Sequence, residues 1–177
     1  MNPAATRRTL IAAGLLAPLP ALAQGRAAPP ALTHKFDLSI RVAPAQELGE
    51  VGGGRRRVIP ITGGDVSGAI TGEVLPGGAD WQTIRPDGVT LLVARYTIRL
   101  SDGATVGIIN SGVRRATLDV VRRMTAGEVV DPALVYFRTT PVFEVGPGPH
   151  QWLTENLFVA TGERRPDLVR IRVFQVG

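Results

Sequence analysis

The stretch Thr90–Leu100 constrains the fold more than any other. Leu92, Ala94, Tyr96, Ile98 and Leu100 fall on one face of an extended chain, and Arg95, Thr97 and Arg99 share the other with Leu91 and Val93. A side-chain period of two sustained over that length describes a strand with one face in a core, not a helix. Asp102-Gly103 follows at once, a dipeptide suited to a tight hairpin turn, so residues 104–110 are expected to pair back antiparallel. The alternation recurs near the N-terminus, where His34, Phe36, Leu38, Ile40 and Val42 oppose Lys35, Asp37, Ser39 and Arg41. Residues 57–65 repeat it with Ile59 and Ile61 against Val58, and Leu168–Val176 with Val169, Ile171 and Val173 against Arg170 and Arg172.

Further strands are expected over residues 66–75, 135–144 and 157–161, with a loop over 48–54. Gly63, Gly64, Gly68 and Gly72 lie inside strand patterns, and such glycines mark bends or close backbone approach in a strongly curved sheet. Only residues 116–126 show a helical stripe, Leu118, Val121 and Met124, with Gly127 placed to end it. Residues 150–156 read as one short helical turn. There is no strand–helix–strand rhythm. The fold class expected is all-β: a single, mostly antiparallel, strongly curved β-barrel with one short helix.

Residues 1–23 stand apart from this pattern. Thr6-Arg7-Arg8-Thr9-Leu10 precedes an apolar run to Leu19, and Ala21-Leu22-Ala23 has the small-x-small form of a cleavage site. A cleaved signal peptide of twin-arginine type is expected, followed by a flexible leader over residues 24–32 and a barrel domain over 33–177, in an exported, periplasmic protein. Pro18 and Pro20 break the apolar run, which is too short to span a bilayer, and no later stretch is apolar enough to do so.

The chain has no cysteine, which excludes thiol catalysis, disulfides and Cys-based metal sites. Its two histidines, His34 and His150, are far apart and lack metal-ligand spacing, so no metal is expected. His34 shares an apolar face and reads as a core histidine. Gly52-Gly53-Gly54 and Gly77-Gly78 lack the Lys-Ser/Thr of a phosphate loop, and no cofactor is implied. The net charge is +5, with arginines gathered at Arg55-Arg56-Arg57, Arg114-Arg115, Arg122-Arg123 and Arg164-Arg165. Without interleaved aromatics these clusters do not describe a nucleic-acid surface. They suit solvated rims, an anionic small molecule or a cell-envelope polymer.

Candidate site residues centre on Gly72 to Trp81. Pro76-Gly77-Gly78 breaks the strand and delivers Asp80 and Trp81 side by side at the break. In the functional reading Trp81 walls a pocket and Asp80 accepts a hydrogen bond or acts as general base; otherwise Asp80 caps the turn and Trp81 fills the barrel end. Arg95 would anchor a carboxylate or phosphate if its face is interior, where a charge must be paired; Arg99 on the same face favours the exterior. Arg138 and Glu144 share the face of Tyr136, as a structural ion pair or as a binding arginine and an acid–base carboxylate. Trp152, near His150, covers a pocket mouth or plugs the core. Glu73 and Glu163 are weaker candidates of the same type.

Several motifs, taken together and in order, resemble the DUF3237 family, also called UPF0311. They are Arg56-Arg57-Val58-Ile59-Pro60-Ile61-Thr62-Gly63-Gly64, Gly72-Glu73-Val74-Leu75-Pro76-Gly77-Gly78-Ala79-Asp80-Trp81, Ala94-Arg95-Tyr96, Asp102-Gly103-Ala104, Tyr136-Phe137-Arg138-Thr139-Thr140-Pro141, Trp152-Leu153 and Gly162-Glu163. The resemblance implies a compact, calycin-like barrel and specifies no activity. Val93 stands where the family commonly carries an acid; if that acid serves the family's activity, this chain lacks it.

The leading functional expectation is binding of a small polar or acidic organic molecule in the barrel or at its mouth. Trp81, Trp152 and Tyr96 would supply apolar wall, and Arg95 and Arg138 would orient the ligand. A cofactor-independent isomerase, lyase or hydrolase is the second reading, with Asp80 or Glu144 as base and an arginine at a developing oxyanion. An assembly module whose strand edges pair between subunits is the third. A homodimer is compatible with all three.

Overall fold

The computed structural model describes residues 28–177, so the signal-peptide reading lies outside the described residues. Strand β1 (Leu32–Val42) pairs with β10 (Leu168–Val176) on one side and with β3 (Gly54–Gly68) on the other, and this double pairing closes the sheet. From β10 the order runs through β9 (Phe158–Arg164), β8 (Tyr136–Glu144), β7 (Thr105–Arg115) and β6 (Thr90–Leu100). The next position is shared by two short strands, β4 (Gly72–Val74) and β5 (Ala79–Ile84), which both pair with β3 and β6. The result is a closed, antiparallel barrel of eight strand positions, the architecture expected. Strand β2 (Gln46–Val51) forms a hairpin with the first part of β3.

One residue in two along the strands that close the barrel faces the interior, whereas β2 is exposed throughout. Phe36, Leu38 and Ile40 of β1 meet Ile98 and Leu100 of β6, Val106 and Ile108 of β7, Phe143 of β8 and Ile171 and Val173 of β10 in one core. The two ends of the barrel differ. At the far end, helix α2 (Trp152–Glu155) lies in the β8–β9 connection and inserts Leu153, 1% exposed. Phe143 stacks edge-on against Phe36 and Phe158 beside it. Full burial of a leucine contributes about 1.5–3 kcal/mol, so this plug is a substantial part of the core. At the other end, the mouth, helix α1 (Leu118–Thr125) sits in the β7–β8 connection, capped by the Thr117 side chain and seated through Val120.

Four local expectations are corrected. Residues 48–54 are not simply a loop, because β2 occupies most of them and turns into β3 at Gly52-Gly53. Residues 57–65 and 66–75 are not separate strands. Gly63 and Gly64 bend β3 without ending it, and the turn comes after Gly68. At Gly64 φ is +152°, and a Cβ there would collide with the carbonyl oxygen of Ser39, so only glycine lets β1 close onto β3. His34 is exposed and hydrogen-bonded to Asp37, because a bulge between His34 and Phe36 shifts it off the core phase. Leu118 is exposed, and α1 packs through Val120 instead of the expected stripe. No helix among the described residues is long and apolar enough to cross a membrane.

Candidate functional site

Three inward residues stand in one row near the mouth. Asp80 of β5 pairs with Ala94 of β6, and Ala94 pairs with Asn110 of β7. Neighbouring strands lie about 4.8 Å apart, so roughly 10 Å separates the outer two backbones, with only a methyl group between them. That gap is a chamber of about 30 Å³ whose lining includes Asp80, Gln82, Ala94, Tyr96, Asn110 and Arg114. It has room for one or two waters or one small functional group. Arg114 and Arg164 also line a wider hollow of about 530 Å³ at the mouth, beside Arg57, Thr90 and the α1 residues Val121 and Met124. Chamber and hollow share Val42, Arg114 and Arg164 in their linings, and the hollow is large enough for a small organic ligand.

A relay of side chains runs from the mouth inward. Arg57 Nε donates to Gln82 Oε1 at 2.9 Å, and Gln82 Nε2 donates to Asp80 Oδ2 at 2.6 Å. The other carboxylate oxygen, Asp80 Oδ1, is buried and has no partner among the described residues; neither have Tyr96 Oη, Asn110 Oδ1 and Arg164 Nη1. All four atoms belong to chamber-lining residues. Leaving such a group unsatisfied costs about 1–3 kcal/mol, so their convergence on one chamber marks a place for a polar occupant.

The electrostatics are lopsided. Burial raises the Asp80 carboxyl above the usual carboxylate range, and it outweighs the Gln82 hydrogen bond and the attraction of Arg114, Arg57 and Arg164. Burial, then repulsion from Arg57 and Arg164, lowers Arg114 to about 10, with Asp80 offsetting part of the effect. Arg164 is lowered by burial and then by Arg57. Arg57 is lowered by burial, against the pull of Glu47 at 3.8 Å on the rim. Burial, then Asp80, raises the Tyr96 hydroxyl, which stays protonated. Three guanidinium groups thus share one buried carboxylate, and the mouth favours an anion.

Of the nine candidates named from sequence, Asp80 and Tyr96 reach the chamber, while Glu73 and Glu163 pair with Arg99 and Arg165 away from it. Trp81 does not form a wall beside Asp80. Residues 79–84 are strand, consecutive side chains face opposite ways, and Trp81 is 40% exposed on the outside. Arg95 is exposed on the outer face of β6. Arg138, also outside, lies over the Tyr136 ring at 5.2 Å. Glu144 is exposed near the far end, and the two form no ion pair. Trp152 packs on Phe158 at the plugged end, away from the mouth. Val93 is on the outer face next to Trp81, so an acid at that position would not enter the chamber.

The sequence reading missed Arg57, Gln82, Asn110, Arg114 and Arg164. The signal was one of phase. Arg57 is in step with Ile59 and Ile61, Arg114 with Val106 and Ile108, and Arg164 with Phe158 and Ala160. Three of the four clusters read as solvated rims turn one arginine inward; Arg122 and Arg123 of the fourth stay on the exposed side of α1, paired with Asp119 and Glu128. Gly78 completes the arrangement: a Cβ there would lie 2.5 Å from Tyr96 Cβ, so glycine lets the β4–β5 break press against β6.

Two larger hollows, about 750 and 910 Å³, lie on the outside of the barrel around Tyr136 and Arg138. Among the described residues five buried side-chain atoms lack a partner, and of these only Thr139 Oγ1 belongs to a residue lining either hollow.

Known proteins match this chain along most of its length. The profile of a family described as protein of unknown function, DUF3237, matches residues 30–176. A UPF0311 protein of Bradyrhizobium diazoefficiens is 47% identical over 143 residues, 81% of this chain and 94% of its own. The crystal structure of a conserved protein of unknown function from Rhodopseudomonas palustris aligns with a TM-score of 0.81 at 42% identity, covering 85% of this chain and 100% of its own. A β-barrel-like protein from Acinetobacter baumannii aligns with a TM-score of 0.76 at 30% identity, covering 87% and 100%.

Proposed function

The chain belongs to the DUF3237 family, and we propose that it is a cofactor-independent enzyme that moves a proton on a small organic anion. The observation that carries this reading is Asp80 Oδ1, a buried carboxylate oxygen without a partner, facing a chamber that opens onto three arginines. Most buried side-chain oxygens are paired within the protein or by water, so an unpaired one facing a chamber is open to a polar ligand. Here one oxygen is held by Gln82 and the other is free to take a proton from a ligand. Arg57, Arg114 and Arg164 hold the ligand's acidic group at the mouth and bring its reactive carbon to Asp80. Burial raises the carboxyl, which makes Asp80 a stronger base than an ordinary carboxylate and lets it hand the proton back to the ligand. The leader pattern of residues 1–23 supports an exported protein that meets its substrate outside the cytoplasm.

Proton transfer leaves a trace that does not depend on knowing the product. In D2O, with a panel of 2-oxo, 3-oxo and arylacetic acids followed by proton NMR, the protein is expected to wash deuterium into one class. Asp80→Asn, with unchanged circular dichroism, is expected to slow that exchange by about 100-fold or more. A wild-type exchange rate in Asp80→Asn would remove Asp80 from the reaction. Binding by the wild type without exchange of any panel member would reduce the barrel to a carrier, the simpler reading of the same chamber.

A further inference from the structure

Building on the Asp80 reading, we propose that Tyr96 and Asn110 form an oxygen-binding pocket opposite Asp80, so that the substrate is an oxo acid whose carbonyl enters the chamber while its carboxylate stays among the arginines. Tyr96 is 5% exposed and Asn110 3% exposed, and each carries an unpartnered oxygen. Asn110 shares the row of Asp80 and Ala94, and Tyr96 is the next inward residue of β6 toward the plugged end. The chamber thus has a carboxylate on one wall, an amide on the opposite wall and a hydroxyl at its floor. Apolar side chains, Leu92, Phe137 and Ile171 among them, form much of the remaining lining.

Size and charge narrow the occupant. A chamber of about 30 Å³ admits one oxygen-bearing carbon and little more, and the rest of the ligand, a ring included, stays in the wider hollow at the mouth. A second carboxylate would face Asp80 in an apolar enclosure, which disfavours it. Arg114 lies two inward steps beyond Asn110 along β7, with Gly112 between, about 13 Å along the strand. The carboxylate and the carbonyl are therefore set apart by intervening carbons, as in a 3-oxo or longer oxo acid.

The chemistry balances without a co-reactant. Asp80 takes the proton from the carbon next to the carbonyl. The C–H pair becomes the new C=C bond, and the carbonyl π pair moves onto oxygen. Tyr96 O–H donates to that oxygen, and the Asn110 amide, whose oxygen and nitrogen exchange places by a half turn, donates through Nδ2. Donors in a water-poor enclosure stabilise such a charge more than they would in water. Asp80 then returns the proton to carbon, the same one or a conjugated one.

The test uses 3-fluoro-4-hydroxybenzoate, whose carboxylate suits the arginines and whose fluorine-19 signal reports ionisation of the neighbouring phenol. It is run in Asp80→Asn, which removes the competing anion. Bound probe is expected to show the phenolate signal at a pH where free probe is still phenol. Adding Tyr96→Phe is expected to return the signal to phenol and weaken binding roughly tenfold or more; Asn110→Leu gives the same result if the tyrosine variant folds poorly. Arg114→Gln is expected to weaken binding whatever the state of the phenol. Failure of the probe to bind, or a phenolate signal that persists in both Tyr96→Phe and Asn110→Leu, would overturn the oxygen pocket. The Asp80 reading fails separately, on the deuterium exchange of the wild type.

Discussion

Asp80→Asn is expected to stabilise the protein at neutral pH and to lose that advantage in acid. In the folded chain burial holds the carboxyl above its ordinary range despite Gln82 and three arginines; in the unfolded chain it returns to about 3.9. Between these two values the folded state binds the proton more than the unfolded state does. Stability therefore falls as pH rises through that window, by at most about 1.4 kcal/mol per pH unit, and stays at the lower level above it. Asparagine has the same shape, accepts the Gln82 N–H through its amide oxygen, and has no proton to lose. The stability difference, Asn minus Asp, should be at its baseline below about pH 3.9, rise through the window and plateau beyond it. For a domain of this size the steepest part corresponds to about 3–6 °C of Tm per pH unit. Urea unfolding of both proteins across acid to neutral pH measures the curve. A difference that is flat with pH, or an asparagine variant relatively less stable at neutral pH than in acid, would refute the claim that the barrel holds this charge at a cost.

Two further substitutions separate the chamber from the rest of the barrel. Leu153→Ala empties the far-end plug and should cost about 2–5 kcal/mol in urea unfolding while leaving affinity for small carboxylates unchanged, since the plug is at the opposite end from the arginines. Trp81→Ala removes an outer-face side chain and should leave 3-fluoro-4-hydroxybenzoate affinity unchanged; a weakened dissociation constant by calorimetry would place Trp81 in the binding site after all.

The fold was legible where burial imposes a period of two and illegible where it does not. Thr90–Leu100 alternates because its inner face packs in the core. All six residues of β2 are exposed, so no alternation betrays a strand held only by its pairing with β3. The His34 bulge inserts one residue into a clean pattern, and nothing in the residue types announces it. In the site, Asp80 stood out because Pro76-Gly77-Gly78 precedes it, but treating that break as a turn put Trp81 on the wrong side. Arg57, Arg114 and Arg164 belong to strands β3, β7 and β9, far apart in sequence, and only closure of β1 onto β3 completes the ring that gathers them. Gln82 and Asn110 look like ordinary polar strand residues until the small Ala94 between Asp80 and Asn110 is seen to leave a space.

The account stands most directly on where a ligand sits. A crystal structure of the protein grown with 3-fluoro-4-hydroxybenzoate should place the probe at the mouth. Its carboxylate should lie within hydrogen-bonding distance of Arg57, Arg114 or Arg164, and its phenol oxygen should point into the chamber toward Tyr96. The same probe found only in the outer hollows beside Tyr136 and Arg138, with the arginine mouth unoccupied, would contradict it.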